Sequence, residues 1–326
     1  MTRVSMLTFI FIISALVACG PDGADSQTTE LPEISSSVET PDTQASPEVA
    51  FTPLQILEDL SADDMGGRQT GTEGHAKAQA YLLHELRVRG LSAEEQAFTF
   101  ENRAGDPVNG LNLLARIEGK RDGPVMVVTA HYDHVGIQNG EIYNGADDNA
   151  SGVAGAIAIA DHFLAEPPEH DVVIALLDAE EMGLQGARAL VREGLPGGGE
   201  IAFNMNFDML SRNDKNELYA AGAWHRPWLE PMLNAIAADA PVALKLGHDD
   251  PALGQDDWTL QSDHGPFHQA GVPFVYFGVD DHKDYHQPSD VFATVPQDFF
   301  LRSIETVIMA AEKFDAELGE IAKAGQ

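Results

Sequence analysis

Four short apolar runs constrain this chain more than any other feature. Residues 125–130 (VMVVTA), 172–177 (VVIALL), 201–207 (IAFNMNF) and 272–277 (VPFVYF) carry no charge, and several are rich in β-branched or aromatic side chains. Runs of this length and composition predict strands buried on both faces. Helical patterns lie between and around them, at residues 152–163, 184–191, 227–238 and 296–314. Residues 74–90 add a further helix, with Ala78, Leu82 and Leu86 on one face and Gly90 as its stop. Strand–helix alternation predicts an α/β fold: a three-layer sandwich with a mixed, mostly parallel sheet and helices on both faces. No repeat and no second linker interrupts residues 51–326, so one folded domain is expected there.

The first fifty residues read differently. Arg3 precedes a mostly apolar stretch over residues 4–18 that is too short to span a bilayer comfortably and ends in small residues, as an export signal does. Leu16-Val17-Ala18-Cys19 resembles the bacterial lipobox. That resemblance implies removal of residues 1–18 and lipidation of Cys19. The expected location is then the bacterial cell envelope, on the outer membrane facing the periplasm. Residues 20–50 hold nine Ser/Thr, four Pro and seven Asp/Glu, with no Lys, Arg or aromatic residue. Such a stretch buries too little apolar area to offset its ordering entropy, so residues 19–50 are expected to be a disordered acidic tether. Cys19 is the only cysteine, which excludes an intrachain disulfide and a cysteine-based zinc site. The formal net charge of −33 repels phosphate backbones and excludes nucleic acid as a main partner.

Ligands of open α/β sheets bind beyond the carboxyl ends of the strands. Here those ends deliver metal-type side chains. Run 125–130 leads into His131-Tyr132-Asp133-His134, and run 172–177 leads into Asp178-Ala179-Glu180-Glu181. Run 201–207 leads into Asp208, and run 272–277 leads after a short loop into Asp284-Tyr285-His286. A further acidic pair, Asp147-Asp148, sits in GADDNASG (145–152) just before a helix. Two histidines and three carboxylates converging on one sheet edge are costly without a cation. Imidazole plus carboxylate without thiolate suits zinc or another first-row divalent ion and argues against magnesium or calcium. Five such ligands, one of them bridging, suffice for two metals with open positions.

In this order the motifs HYDH (131–134), GADDNASG (145–152), DAEEMG (178–183), NFDM (206–209) and YHQPSD (285–290) resemble the secreted and lipid-anchored di-zinc aminopeptidases, metallopeptidase family twenty-eight of clan MH. The segment GGRQTGTEGHAKAQAYL (66–82) is similar to that family's opening segment, and the likeness runs over roughly residues 53–315. The resemblance implies two zinc ions and a peptide substrate. It implies that Asp148 bridges the ions, that His131 and Asp208 complete one site, and that Glu181 and His286 complete the other. Asp147 falls at a variable position and receives no ligand role. The bond Asp148–Asn149 is expected to be cis. Asp133 is implied to orient His131, Glu180 to act as general base, and Tyr285 to donate a hydrogen bond to the oxyanion.

The implied activity is removal of N-terminal residues from peptides. Related di-zinc dipeptidases and carboxypeptidases, a glutaminyl cyclase-like enzyme using one zinc, and a non-catalytic peptide-binding lipoprotein stand as alternatives. Only 78 positions separate Asp208 from His286, which leaves little room for the inserted domain of the dipeptidase group. The remaining polar residues read more plainly. His134 is expected to be a surface or supporting histidine, and Ser262-Asp263 a helix cap or part of the substrate pocket. Trp224, Trp228 and Trp258 are expected in the core or along a substrate pocket.

Overall fold

The computed structural model of the protein describes residue 50 and residues 52–213 and 215–325. The expected export signal, Cys19 and all of the expected tether but residue 50 lie outside the described residues. Helices α1 (Pro53–Leu60) and α2 (Glu73–Val88) come first, followed by strands β1 (Ala93–Glu101), β2 (Pro107–Ile117) and β3 (Val125–His131). A small separate hairpin of β4 (Gly136–Gln138) and β5 (Glu141–Tyr143) precedes α3 (Gly152–Ala165). Then come β6 (Val172–Leu177), α4 (Gln185–Glu193), β7 (Ile201–Phe207), β8 (Glu217–Ala221), α5 (Glu230–Asp239) and β9 (Ala243–Leu246). Last are α6 (His264–Gln269), β10 (Phe274–Gly278) and α7 (Gln297–Gly325).

One sheet takes eight strands in the order β1-β2-β6-β3-β7-β10-β8-β9. At its centre β6, β3, β7 and β10 are mutually parallel neighbours. The β1–β2 hairpin adds to one side antiparallel, and β8 adds antiparallel to β10 on the other, with β9 parallel to β8. The fold is therefore the mixed, mostly parallel sheet expected from the sequence.

The uniform apolar character of the central strands follows from their two-sided burial. Met126, Val128 and Ala130 of β3 and Val172, Ile174 and Leu176 of β6 join one core with α1, α2, α3 and α7. The alternate residues Val125, Val127, Val173, Ala175 and Leu177 join a second core with α4 and α6. Side chains of successive strand residues point to opposite faces, so a strand between two helical layers needs apolar residues at every position. Each fully buried Val or Leu contributes about 1.5–3 kcal/mol, which fixes these strands in register. The parallel order places the carboxyl ends of β3, β6, β7 and β10 side by side, and the polar residues that follow them share one edge. No described helix is long and apolar enough to cross a membrane.

Candidate metal centre

Two sets of ligand-type side chains meet at that edge and share one residue. His131, the last residue of β3, places Nε2 3.4 Å from Asp148 Oδ1 and 3.4 Å from Asp208 Oδ1. His286 places Nε2 3.0 Å from Asp148 Oδ2 and 3.2 Å from Glu181 Oε1. Asp148 thus turns one carboxylate oxygen to each set. In each set the potential ligand atoms lie within 4.8 Å of one another. The five side chains singled out from the sequence are together.

His134 is a sixth participant. It is buried rather than on the surface, at 1% exposure, and its Nδ1 lies 2.8 Å from Glu181 Oε1 and 3.7 Å from Asp148 Oδ2. Despite that short approach, neither ring nitrogen of His134 nor Glu181 Oε1 makes a hydrogen bond of good geometry. Orphaned buried polar atoms are costly, and a divalent cation between His134, Asp148, Glu181 and His286 gives them a partner. The donor set, imidazole and carboxylate without sulfur, suits zinc.

Burial and the neighbouring charges shift these groups strongly. Burial opposes charge on His131, but Asp208 and Glu180 carry its pKa well above the ordinary value. Burial likewise opposes charge on His286, and Asp148 and Glu181 lift it to about 10. Burial pushes the Glu181 carboxyl up, but His134 and His286 hold it well below the usual range. Glu180 shares none of these contacts. Burial pushes its carboxyl well above the usual range, and Asp208 adds to that against the pull of His131.

The ligand-bearing turns are tightly held. Among the described residues eight non-glycine positions have positive φ, and Arg68, Ala179, Met209 and His286 flank this centre. Such backbone persists only where its surroundings over-determine it. The left-handed turn at Ala179 (φ 58°) sends Glu180 and Glu181 apart. The Asp133 carboxylate accepts from the backbone N–H groups of Glu180 (3.0 Å) and Glu181 (3.3 Å). It also lies 3.7 Å from His131 Nδ1, which is within hydrogen-bond distance of Asp133's own backbone carbonyl at 3.2 Å. Asp133 therefore positions the glutamate turn as much as the histidine.

Asp148–Asn149 is cis. Asn149 donates to the Phe207 carbonyl and accepts from Gly152 N and Met209 N, tying this loop to the end of β7. Gly145 precedes it at φ 59°, where an added Cβ would lie 2.1 Å from the Asp148 carbonyl oxygen and 2.6 Å from His134 Cδ2. Only glycine fits there. Asp290, the last residue of YHQPSD, accepts from Asp147 N and Asp148 N. Asp147 joins neither ligand set. It accepts from Ser211 N and Oγ and pairs with His282 Nε2 at 2.9 Å.

Arg68 is fully buried and donates to the carbonyls of Leu60, Tyr132, Asn144 and Gly145. It clamps the His131 and Asp148 loops together. Burial lowers its pKa to about 10, against the opposing pull of Asp148 and Asp290, so it stays cationic at neutral pH beside the carboxylates. Behind β6, Asp178 Oδ1 accepts from Thr70 Oγ1 and lies 2.8 Å from His75 Nε2, which anchors the segment that carries Arg68.

A cleft opens over the centre, walled by Glu180, Met209, Trp258, Tyr276, Val279, Asp281 and Tyr285 beside the shared ligands. No lysine or arginine lines it. The Tyr285 ring stacks on His286 at 4.0 Å. Burial raises its hydroxyl pKa, so the group remains a donor. Of the three tryptophans only Trp258 reaches the cleft. Trp224 is 53% exposed, and Trp228 packs against the core. The expected cap at Asp263 is not made. Its backbone is already helical (φ −57°, ψ −20°) and its side chain makes no capping bond; the carboxylate is fully buried with both oxygens unpartnered, while Ser262 lines the cleft.

Close by, His264 is fully buried, with Nε2 2.9 Å from the Trp258 carbonyl oxygen, and burial lowers its pKa to about 4. The unfolded chain takes up a proton near pH 6.5 that folded His264 refuses, so stability is present above pH 6.5 and is lost as pH falls toward 4. Between pH 7 and 5 this histidine should cost about 2 kcal/mol. His264→Gln should flatten the wild-type stability slope over that window in denaturant titrations. Parallel slopes would contradict the assignment.

Fold and site together define an α/β protein with a carboxylate-bridged pair of ligand sets at the ends of its central parallel strands. Residues 112–311 match the sequence profile described as peptidase family M28, and the chain belongs to that family. It is similar to aminopeptidase YwaD of Bacillus subtilis strain 168, 30% identical over 201 residues, 59% of this chain and 40% of that one. The chain spans about half the length of the curated relatives it matches. Among solved structures it is similar in fold to a leucine aminopeptidase precursor from Bacteroides thetaiotaomicron VPI-5482, with a TM-score of 0.68, 18% identity and coverage of 80% of this chain and 96% of that one. It is similar in fold to the glutaminyl cyclase of Porphyromonas gingivalis as well, with a TM-score of 0.67, 20% identity and coverage of 82% and 99%.

Proposed function

We propose that the protein is a zinc-dependent exopeptidase that releases N-terminal residues from peptides, with two zinc ions bridged by Asp148. The observation that carries this reading is the division of the Asp148 carboxylate between two complete ligand sets under a cleft that also holds Glu180. His131 and Asp208 would hold one ion, and Glu181 and His286 the other, with His134 beside the second. Bound zinc supplies Lewis acidity, acidifying water and polarising the scissile carbonyl.

The protein's own groups do the rest. Glu180 lies outside both ligand sets, and its raised pKa suits a group that takes a proton from water and returns it to the leaving amine. Tyr285, which lines the same cleft, offers a hydroxyl donor to the developing oxyanion. A carboxypeptidase needs a cation for the substrate's terminal carboxylate. The cleft lining has no lysine or arginine, which favours a substrate presenting an amine.

The likeness in fold to a glutaminyl cyclase keeps a one-zinc cyclase as the second reading. A panel of aminoacyl chromogenic amides, with glutaminyl peptides alongside, separates the two. Amino-acid release that chelator abolishes and zinc restores is the expected result. Cyclisation of glutaminyl peptides without release from the panel would overturn the exopeptidase reading.

A further inference from the structure

We propose that Asp281 is the anchor for the α-ammonium group of the substrate, the cationic end that marks a peptide's first residue. This rests on the exopeptidase reading and adds the group that selects for a free N-terminus. Asp281 lines the cleft together with members of both ligand sets. It belongs to neither set, and its carboxylate makes no ion pair or hydrogen bond among the described residues. The flanking side chains are all engaged elsewhere. His282 pairs with Asp147 at 2.9 Å, and Asp284 accepts from Ser289 Oγ and pairs with Arg212. Asp290 holds the Asp147–Asp148 backbone. Strand β10 ends at Gly278 just before Asp281, and these contacts pin the segment after it, so the backbone that presents the exposed Asp281 carboxylate is held on both sides.

Charge selects what that ligand is. Two divalent ions would leave one positive charge after the three ligating carboxylates, and Glu180 and Asp281 turn that into one negative charge. With no lysine or arginine in the lining, the cleft favours a cationic group. Glu180 is committed to proton transfer, so Asp281 is the anion left to receive it. Met209, Val279 and Trp258 wall the same cleft and suit an uncharged side chain better than a second cation.

The test is calorimetry on the zinc-loaded full chain with two probes, leucinamide and 4-methylpentanamide, which differ only by the ammonium group. The wild type should bind leucinamide the more tightly. Asp281→Asn should weaken leucinamide about tenfold or more and leave 4-methylpentanamide unchanged. Asp281→Ser should repeat the result, with zinc content equal to wild type in both variants. With leucyl and lysyl p-nitroanilides, KM should rise for both while kcat changes little. Equal weakening of the two probes, no weakening, or a loss confined to the lysyl substrate would overturn the proposal. Calorimetry needs no turnover. Wild-type protein that prefers leucinamide yet releases no amino acid would count against the exopeptidase reading alone, whereas release by a variant with wild-type probe binding would count against the anchor alone.

Discussion

Glu180→Gln should leave zinc content unchanged and lower hydrolysis of aminoacyl amides by about 10²–10⁴-fold. The separation of effects follows from where Glu180 sits. It lines the cleft but belongs to neither ligand set, and its backbone N–H is held by Asp133 whatever its side chain carries. Glutamine keeps the shape and removes only the proton-accepting oxygen. The loss should fall on kcat, because the interaction is made with a proton in flight and not with bound substrate. Zinc content by mass spectrometry and steady-state kinetics on the same preparation check it. Activity near the wild-type value would remove Glu180 from the mechanism.

Asp148→Ala should have the broader effect. Each Asp148 oxygen faces a different set, so one truncation removes a ligand from both, while Asp208→Ala or His286→Ala touches one set only. After dialysis the Asp148 variant should retain almost no zinc, and each of the other two should retain about one ion per chain. Added zinc should raise the melting temperature of the wild type, since a ligand at a hundred times its Kd stabilises by about 2.7 kcal/mol. The same addition should leave the melting temperature of Asp148→Ala unchanged. An Asp148 variant that keeps two ions would contradict the bridging role.

The parts of the fold that position this centre were legible because two-sided burial leaves a plain signature. Residues 172–177 and 201–207 are strands over those same bounds. The run at 272–277 begins its strand only at Phe274, since Pro273 has no N–H to give a ladder. The β1–β2 hairpin escaped notice because it lies at one edge of the sheet and β1 is studded with charge, its sequence being AEEQAFTFE. Helix α7 runs to Gly325, past the expected stop at 314. Leu318 and Ile321 continue the buried face while Glu317, Glu320 and Lys323 cover the other side.

Within the site, the residues legible in the sequence are those whose type names the chemistry. His131, Glu181 and Asp208 stand at or just past strand ends, where an open sheet gathers them, while Asp148 comes from the turn before α3 and His286 from the loop after β10. Arg68, His134 and Asp290 escaped. Arg68 and Asp290 work through backbone carbonyls and N–H groups of distant loops, partners that leave no mark on side-chain pattern. His134 reads as a spare histidine until the fold carries Glu181 and His286 to it.

The central claim is that two divalent ions share Asp148, and anomalous diffraction at the zinc edge from crystals of the zinc-loaded chain tests it most directly. Two peaks are predicted, one among His131, Asp148 and Asp208 and one among Asp148, Glu181 and His286. A single peak, or metal lying away from Asp148, would contradict it.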